Sequence, residues 1–157
     1  MNRGFTLVEV LIAVVLVGMA IAGLLEANGA FTRVNAAGLD LTTAEFLIDQ
    51  IRELTAVLPV VDPEGGTATF GPEEATLAAY DDLDDFNGRT FSPPIDAGRT
   101  PLTSLARYSQ VITVDNVSAT NLQTVVGHHS SAFYRVTVKV LLNGLQVSSA
   151  TWMRAKY

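Results

Sequence analysis

Residues 3–26 read RGFTLVEVLIAVVLVGMAIAGLLE, and from Phe5 to Leu25 the run is apolar apart from Thr6 and Glu9. As a helix rising about 1.5 Å per residue it spans about 31 Å, close to the hydrocarbon thickness of a bilayer. A carboxylate in that layer costs about 2.5–3.5 kcal/mol on insertion scales. Snorkelling and the positive end of the helix dipole lower the cost near the end of a span, where Glu9 lies. Arg3 precedes the run and Glu26 follows it. The positive-inside bias therefore keeps the first residues cytoplasmic and sends the remainder outside.

Three readings compete for this stretch. Ala20-Ile21-Ala22 has the small-x-small form of a secretory cleavage site. Against it, the apolar run is long, carries a charge and continues as a helical pattern past the cut. A simple single-span anchor tolerates Glu9 as a defect and leaves the front of the sequence unexplained. The third reading accounts for every residue: Gly4-Phe5-Thr6-Leu7-Val8-Glu9 resembles the prepilin signature of type IV pilins and of the pseudopilins of type II secretion.

That resemblance implies cleavage between Gly4 and Phe5 by a membrane-embedded prepilin peptidase, and methylation of the new amino terminus on Phe5. Glu9 then becomes the fifth residue of the mature chain. It also implies other pilin or pseudopilin subunits, an inner-membrane assembly platform and membrane lipid as partners. The location it implies is the bacterial inner membrane, single-pass, with a cytoplasmic amino terminus and a periplasmic head, and then a filament or the cell surface. The physics suits assembly through Glu9. A carboxylate about 4 Å from a cationic amine gains up to about 4 kcal/mol at an effective dielectric near 20, whereas one without a partner is unfavourable in the same place. Glu9 lies a turn from the amine of Phe5 in its own helix, and between staggered helices it can meet the amine of a neighbour. A four-residue leader is short for this family, which leaves an upstream start codon open.

The totals agree with an anchored small domain. The chain has 157 residues, 48% hydrophobic and 17% charged, which is too apolar for disorder. The net charge of −6 argues against a nucleic-acid surface. No cysteine is present, so disulfides, thiolate zinc sites and a cysteine nucleophile are excluded.

Helical periodicity continues beyond the membrane-length run. Leu24, Ala27, Phe31, Val34, Ala37, Leu41, Ala44, Ile48, Ile51, Leu54 and Leu58 recur at spacings of three and four. They predict one amphipathic helix ended by Pro59. Gly29 and Gly38 interrupt it at about 1 kcal/mol each relative to alanine. Residues 59–103 hold all six prolines and read as an acidic, loop-rich connection, with a short strand at Thr67–Phe70 and a short helix at Glu73–Tyr80. After that the period becomes two. Tyr108–Val114 and Phe133–Val140 alternate, Tyr134, Val136, Val138 and Val140 share a face, and Asn143-Gly144 leads into a partner strand from Leu145 to Trp152. An antiparallel sheet of at least three strands needs a cover, and residues 27–58 supply one. The expected class is α+β: a long amino-terminal helix on an antiparallel sheet, the pilin fold. Its parts are a leader (1–4), a membrane or filament-core helix (5–25), its amphipathic continuation (26–58), the connection (59–103) and the sheet (104–157).

Tyr80-Asp81-Asp82-Leu83-Asp84-Asp85-Phe86-Asn87-Gly88 is the other unusual stretch. It resembles an element of minor pilins of the mannose-sensitive haemagglutinin type, which implies a minor subunit. Asp81, Asp82, Asp84, Asp85 and Asn87 are a candidate calcium set, because calcium takes oxygen ligands on loops. The spacing is not that of an EF-hand. The preferred reading is a solvated acidic turn whose aspartates cap backbone donors, with Tyr80 and Phe86 packing below and Gly88 turning the chain. His128-His129 is read as an exposed loop pair without further ligands. Asn116-Val117-Ser118 matches a glycosylation acceptor by chance. No catalytic motif is present, and neither an enzyme nor an obligatory cofactor is expected. The alternatives to a minor pilin are a type II secretion pseudopilin and an anchored periplasmic binding domain that never polymerises.

Overall fold

A computed structural model describes residues 4–66 and 68–156. Met1–Arg3 of the leader, Thr67 of the strand expected at 67–70 and Tyr157 lie outside the described residues. The chain divides into two compact units, Met1–Leu39 and Asp40–Tyr157, and helix α1 (Leu7–Ala56) contributes to both.

Within the first unit, α1 from Val10 to Leu25 is apolar around its whole circumference. Leu11, Val15 and Leu16 are exposed, as are Leu24 and Leu25. A helix that is hydrophobic all round belongs in a membrane or a larger core. The helix is long and apolar enough to cross a bilayer. Gly29 and Gly38 do not break it, since both remain helical.

The second unit is built on a four-stranded antiparallel sheet in the order β1-β2-β3-β4. The strands are β1 (Thr90–Phe91), β2 (Tyr108–Val117), β3 (Phe133–Leu142) and β4 (Leu145–Ala155). Alternation sets the register, with Ile112 opposite Val138, Val114 opposite Val136 and Asn116 opposite Tyr134. Asn143 (φ 50°) and Gly144 (φ 82°) make the β3–β4 turn. Positive φ at both central residues is the type I′ geometry that matches strand twist.

Tyr134, Val136, Val138 and Val140 are fully buried on one face, together with Ile112 and Val114. Ala44, Leu47, Ile48, Ile51 and Leu54 of α1 join them in one core. The cover is shorter than the periodicity suggests. Of the stripe expected over residues 27–58, Phe31 and Val34 are 71% exposed and Leu41 is 44% exposed, so only Ala44–Thr55 lies against the sheet. Periodicity marks the apolar face of a helix, while the sheet is long enough to cover only its last three turns.

Polar ties fix this packing. The buried Gln110 side chain accepts from Ile95 N–H (2.8 Å) and donates to the carbonyls of Leu47 (2.9 Å) and Ile95 (3.1 Å). Tyr108 donates its hydroxyl to Asp40 at 2.6 Å. The helix stops at Ala56, two residues short of the expected end, because Pro59 disfavours helical geometry at Leu58. Arg154 of β4 donates to the carbonyls of Thr55 and Leu58, supplying the cation that the last turn of α1 lacks.

The connection differs from expectation. No strand forms among described residues 68–70 and no helix at Glu73–Tyr80, where turns replace both. The connection instead contributes β1 and a single 3-10 turn at Asp84–Phe86. Hydrogen bonds from Leu83 N–H to the Pro59 carbonyl and from Gly88 N–H to the Ile112 carbonyl, both 3.0 Å, hold this turn on the core.

Candidate functional site

Two places concentrate chemistry, one in each unit. At the amino terminus Gly4, Phe5 and Thr6 precede the helix, and Phe5 is 87% exposed. The Gly4–Phe5 peptide is thus outside the helix and open to attack. Thr6 N–H and its hydroxyl both donate to Glu9 Oε2 at 2.9 Å, and Glu9 N–H donates back to Thr6 Oγ1 at 3.2 Å. This is a capping box, in which Thr6 and Glu9 satisfy two of the orphan donors at the start of α1. Threonine followed three residues later by glutamate, just before an apolar run, is its sequence signature, and the reading of Glu9 as an assembly residue alone missed it. Glu9 thus starts the helix as well as standing within reach of the residue that cleavage would expose.

The second place is the acidic stretch. The sequence predicts a solvated turn, and the structure corrects this: Asp82, Asp84 and Asp85 are 0%, 1% and 0% exposed. Leu83 and Phe86, both fully buried, pull the intervening aspartates inward with them. The expected backbone capping is present. Asp85 Oδ2 accepts from Asp81 N–H (2.9 Å) and Asp82 N–H (3.3 Å), and Asp82 Oδ1 accepts from Asp85 N–H at 3.0 Å. Tyr80 meets Phe86 edge-on at 5.2 Å, and Gly88 turns the chain at φ 71°.

Other oxygens of these side chains are left over. Asp82 Oδ2, both oxygens of Asp84, Asp85 Oδ1 and Glu74 Oε2 are buried and have no hydrogen-bond partner among the described residues. Glu73 and Glu74 close the cluster, each offering an oxygen within 4.8 Å of one on Asp85. Burial, followed by the facing Asp84 carboxyl, pushes Asp82 up to about 8. The facing Asp85 carboxyl, with burial, pushes Glu74 up to about 7. Burial also raises Asp84. Carboxyl groups buried beside one another behave in this way.

Of the five residues singled out for calcium, Asp85 joins Glu73 and Glu74, Asp82 and Asp84 are buried beside it in the same turn, Asp81 is half-buried, and Asn87 is used elsewhere. Its side-chain oxygen accepts from Val114 N–H at 3.0 Å and ties the turn to β2. Glu73 and Glu74, which complete the cluster, fall outside the acidic run and were missed. Their only sequence signal is two adjacent acids preceding an acidic turn.

The histidine pair is also corrected. His128 is exposed and stacks on Phe70 with ring centroids 4.1 Å apart. The His129 ring is buried: Nε2–H donates to the Thr69 carbonyl at 2.5 Å, and Nδ1 bonds the Tyr134 hydroxyl at 2.9 Å. An acidic neighbour does lie nearby, since Asp84 Oδ2 is 3.6 Å from Nε2. Asn116 is buried, and its amide bonds the backbone of Ser131 and Phe133.

Residues 1–25 match the family model described as the prokaryotic N-terminal methylation motif. The chain carries a type IV pilin-like prepilin signal, followed by a long apolar helix suited to membrane anchoring and an α+β pilin-like fold. Such a signal marks a pilin or pseudopilin for prepilin peptidase. No curated protein and no solved structure matches the chain.

Proposed function

We propose that the chain is a minor subunit of a type IV pilus-like filament, inserted with its first residues cytoplasmic and its head periplasmic, cut after Gly4, methylated on Phe5 and assembled through α1. One observation carries this reading: a carboxylate, Glu9, stands one turn from the peptide to be cut, at the head of a helix whose apolar surface is otherwise uncovered. In a bilayer that surface is satisfied by lipid, and in a filament by neighbouring helices. An intramembrane ionisable group is functional by default. The likeness of Tyr80–Gly88 to the minor-pilin element supports a minor rather than a main subunit. A catalytic role is not assigned.

A pseudopilin of a type II secretion system shares the same signal and the same helix. The two are separated by the company the chain keeps, pilus fibre or secretion apparatus, in cross-linked material from cells. The first test is mass spectrometry of the chain isolated from cells. The expected amino terminus is N-methylated Phe5. A chain that keeps Met1, or one that begins at Gly23, overturns the filament reading.

A further inference from the structure

We propose that Glu73, Glu74 and Asp85, with the buried Asp82 and Asp84 beside them in the same turn, form a calcium site that completes the fold of the head.

Charge and burial carry the inference. Glu73, Glu74 and Asp85 bring one oxygen each within 4.8 Å of one another, and Asp82 and Asp84, in the same turn, are as deeply buried as Asp85. Asp82, Asp84 and Asp85 each keep at least one buried oxygen without a hydrogen-bond partner among the described residues. Removing a carboxylate from water without a counter-charge costs several kcal/mol per ion, so native proteins pair such groups or give them a metal. Of the basic side chains nearby, Arg99 donates to the carbonyls of Leu77, Ala78 and Tyr80, while Arg89 lies over the Tyr80 ring at 5.3 Å with its Nε–H buried and unpartnered among the described residues, a single guanidinium against several carboxyls. His129 approaches Asp84 only to 3.6 Å and spends its Nε2–H on the Thr69 carbonyl.

The donor set selects the ion. The unpartnered oxygens are all carboxylate oxygens, the hard ligands of calcium and magnesium. Zinc would call on an imidazole, and both nitrogens of His129 are engaged. Magnesium holds several of its waters and binds through one or two carboxylates, whereas calcium accepts six to eight oxygens in irregular geometry. A carboxylate cluster open to water at Glu73 and buried at Asp85 fits calcium. The site lies wholly in the second unit and stands whether or not the chain polymerises.

The test uses the full chain in detergent micelles, stripped with a chelator and titrated separately with calcium and magnesium. Thermal unfolding and equilibrium dialysis are the two readouts. Calcium at a hundred times its dissociation constant should raise the melting temperature by roughly 10 °C for a head of this size, with saturable binding. Glu74→Gln with Asp85→Asn should abolish both the shift and the binding. Asp49→Asn, an exposed acid on α1, should leave both intact. The double variant removes repulsion, so it should melt above the stripped wild type and thereby report its own folding. Wild-type melting that ignores calcium, an equal response to magnesium, or a calcium shift that survives in the double variant would each overturn the assignment. The first of these would mean that the carboxyls share protons instead.

Discussion

Glu9 caps the start of α1, and substitutions can separate that cap from the docking role proposed for its charge. Glu9→Gln preserves the side chain's shape and an oxygen able to accept from Thr6 N–H and Oγ1, so the capping box persists, as glutamine serves in that position. Only the charge is lost. If Glu9 docks on the cationic amine of a neighbouring mature chain at about 4 Å, the lost attraction is about 4 kcal/mol at an effective dielectric near 20. That corresponds to roughly three powers of ten in the docking equilibrium, at about 1.4 kcal/mol per tenfold. Thr6→Ala is the converse change, since it keeps the carboxylate and removes the cap. Its cost is about 1 kcal/mol, a factor of about five even if all of it falls on docking. The assay is co-expression of each tagged variant with wild type, followed by quantitative mass spectrometry of shed filaments and of the membrane pool. Glu9→Gln should remain in the membrane and be depleted from filaments by at least a hundredfold, while Thr6→Ala is depleted only a fewfold. Entry of Glu9→Gln at the wild-type ratio would refute the docking role. Equal depletion of both variants would show that helix initiation, not charge, governs incorporation.

Three further substitutions probe the head. Gln110→Leu strands the N–H and carbonyl of Ile95 in the core and should destabilise by about 2–4 kcal/mol in urea unfolding, and a loss below 1 kcal/mol would contradict the burial of those groups. Arg154→Met retains the packed stem but leaves the carbonyls of Thr55 and Leu58 without their donor. A cost of about 1–2 kcal/mol is expected, with unchanged stability as the contrary result. Gly144→Ala forces a side chain into positive φ and should cost about 1 kcal/mol in melting experiments. Its exposed neighbour in Leu145→Ala should change stability by less than about 0.5 kcal/mol, and equal effects would argue against the type I′ turn.

The elements that repeat regularly were legible in the sequence. The alternation of Tyr134, Val136, Val138 and Val140 named the inner face of β3, and Asn143-Gly144 named its turn. Each strand nevertheless runs two or three residues beyond its alternating segment, because β2, β3 and β4 continue pairing to Val117, Leu142 and Ala155. Thr90–Phe91 is too short to carry a period, and its strand exists because β2 offers an edge. The least legible feature was the direction in which Tyr80–Gly88 faces. Aspartates ordinarily seek water, and only the anchoring of Leu83 and Phe86 in the core reverses this. Asn87 shows the same limit. Its residue type suits a metal, but its oxygen is spent on Val114, a partner distant in sequence. The capping box was readable from Thr6 and Glu9 alone and was obscured by the more conspicuous question of a charge in hydrocarbon.

The link from Arg154 to Thr55 joins residues 99 positions apart. During synthesis the helix therefore leaves the ribosome long before the guanidinium that finishes its last turn. Until β2 and β3 have followed, the apolar positions from Ala44 to Leu54 have no sheet to rest on, and until β4 arrives the last turn of α1 lacks its donor. A truncation that removes Arg154 should therefore give a subunit whose head still closes but reopens more often at the end of α1, where proteases would find it sooner than the intact chain.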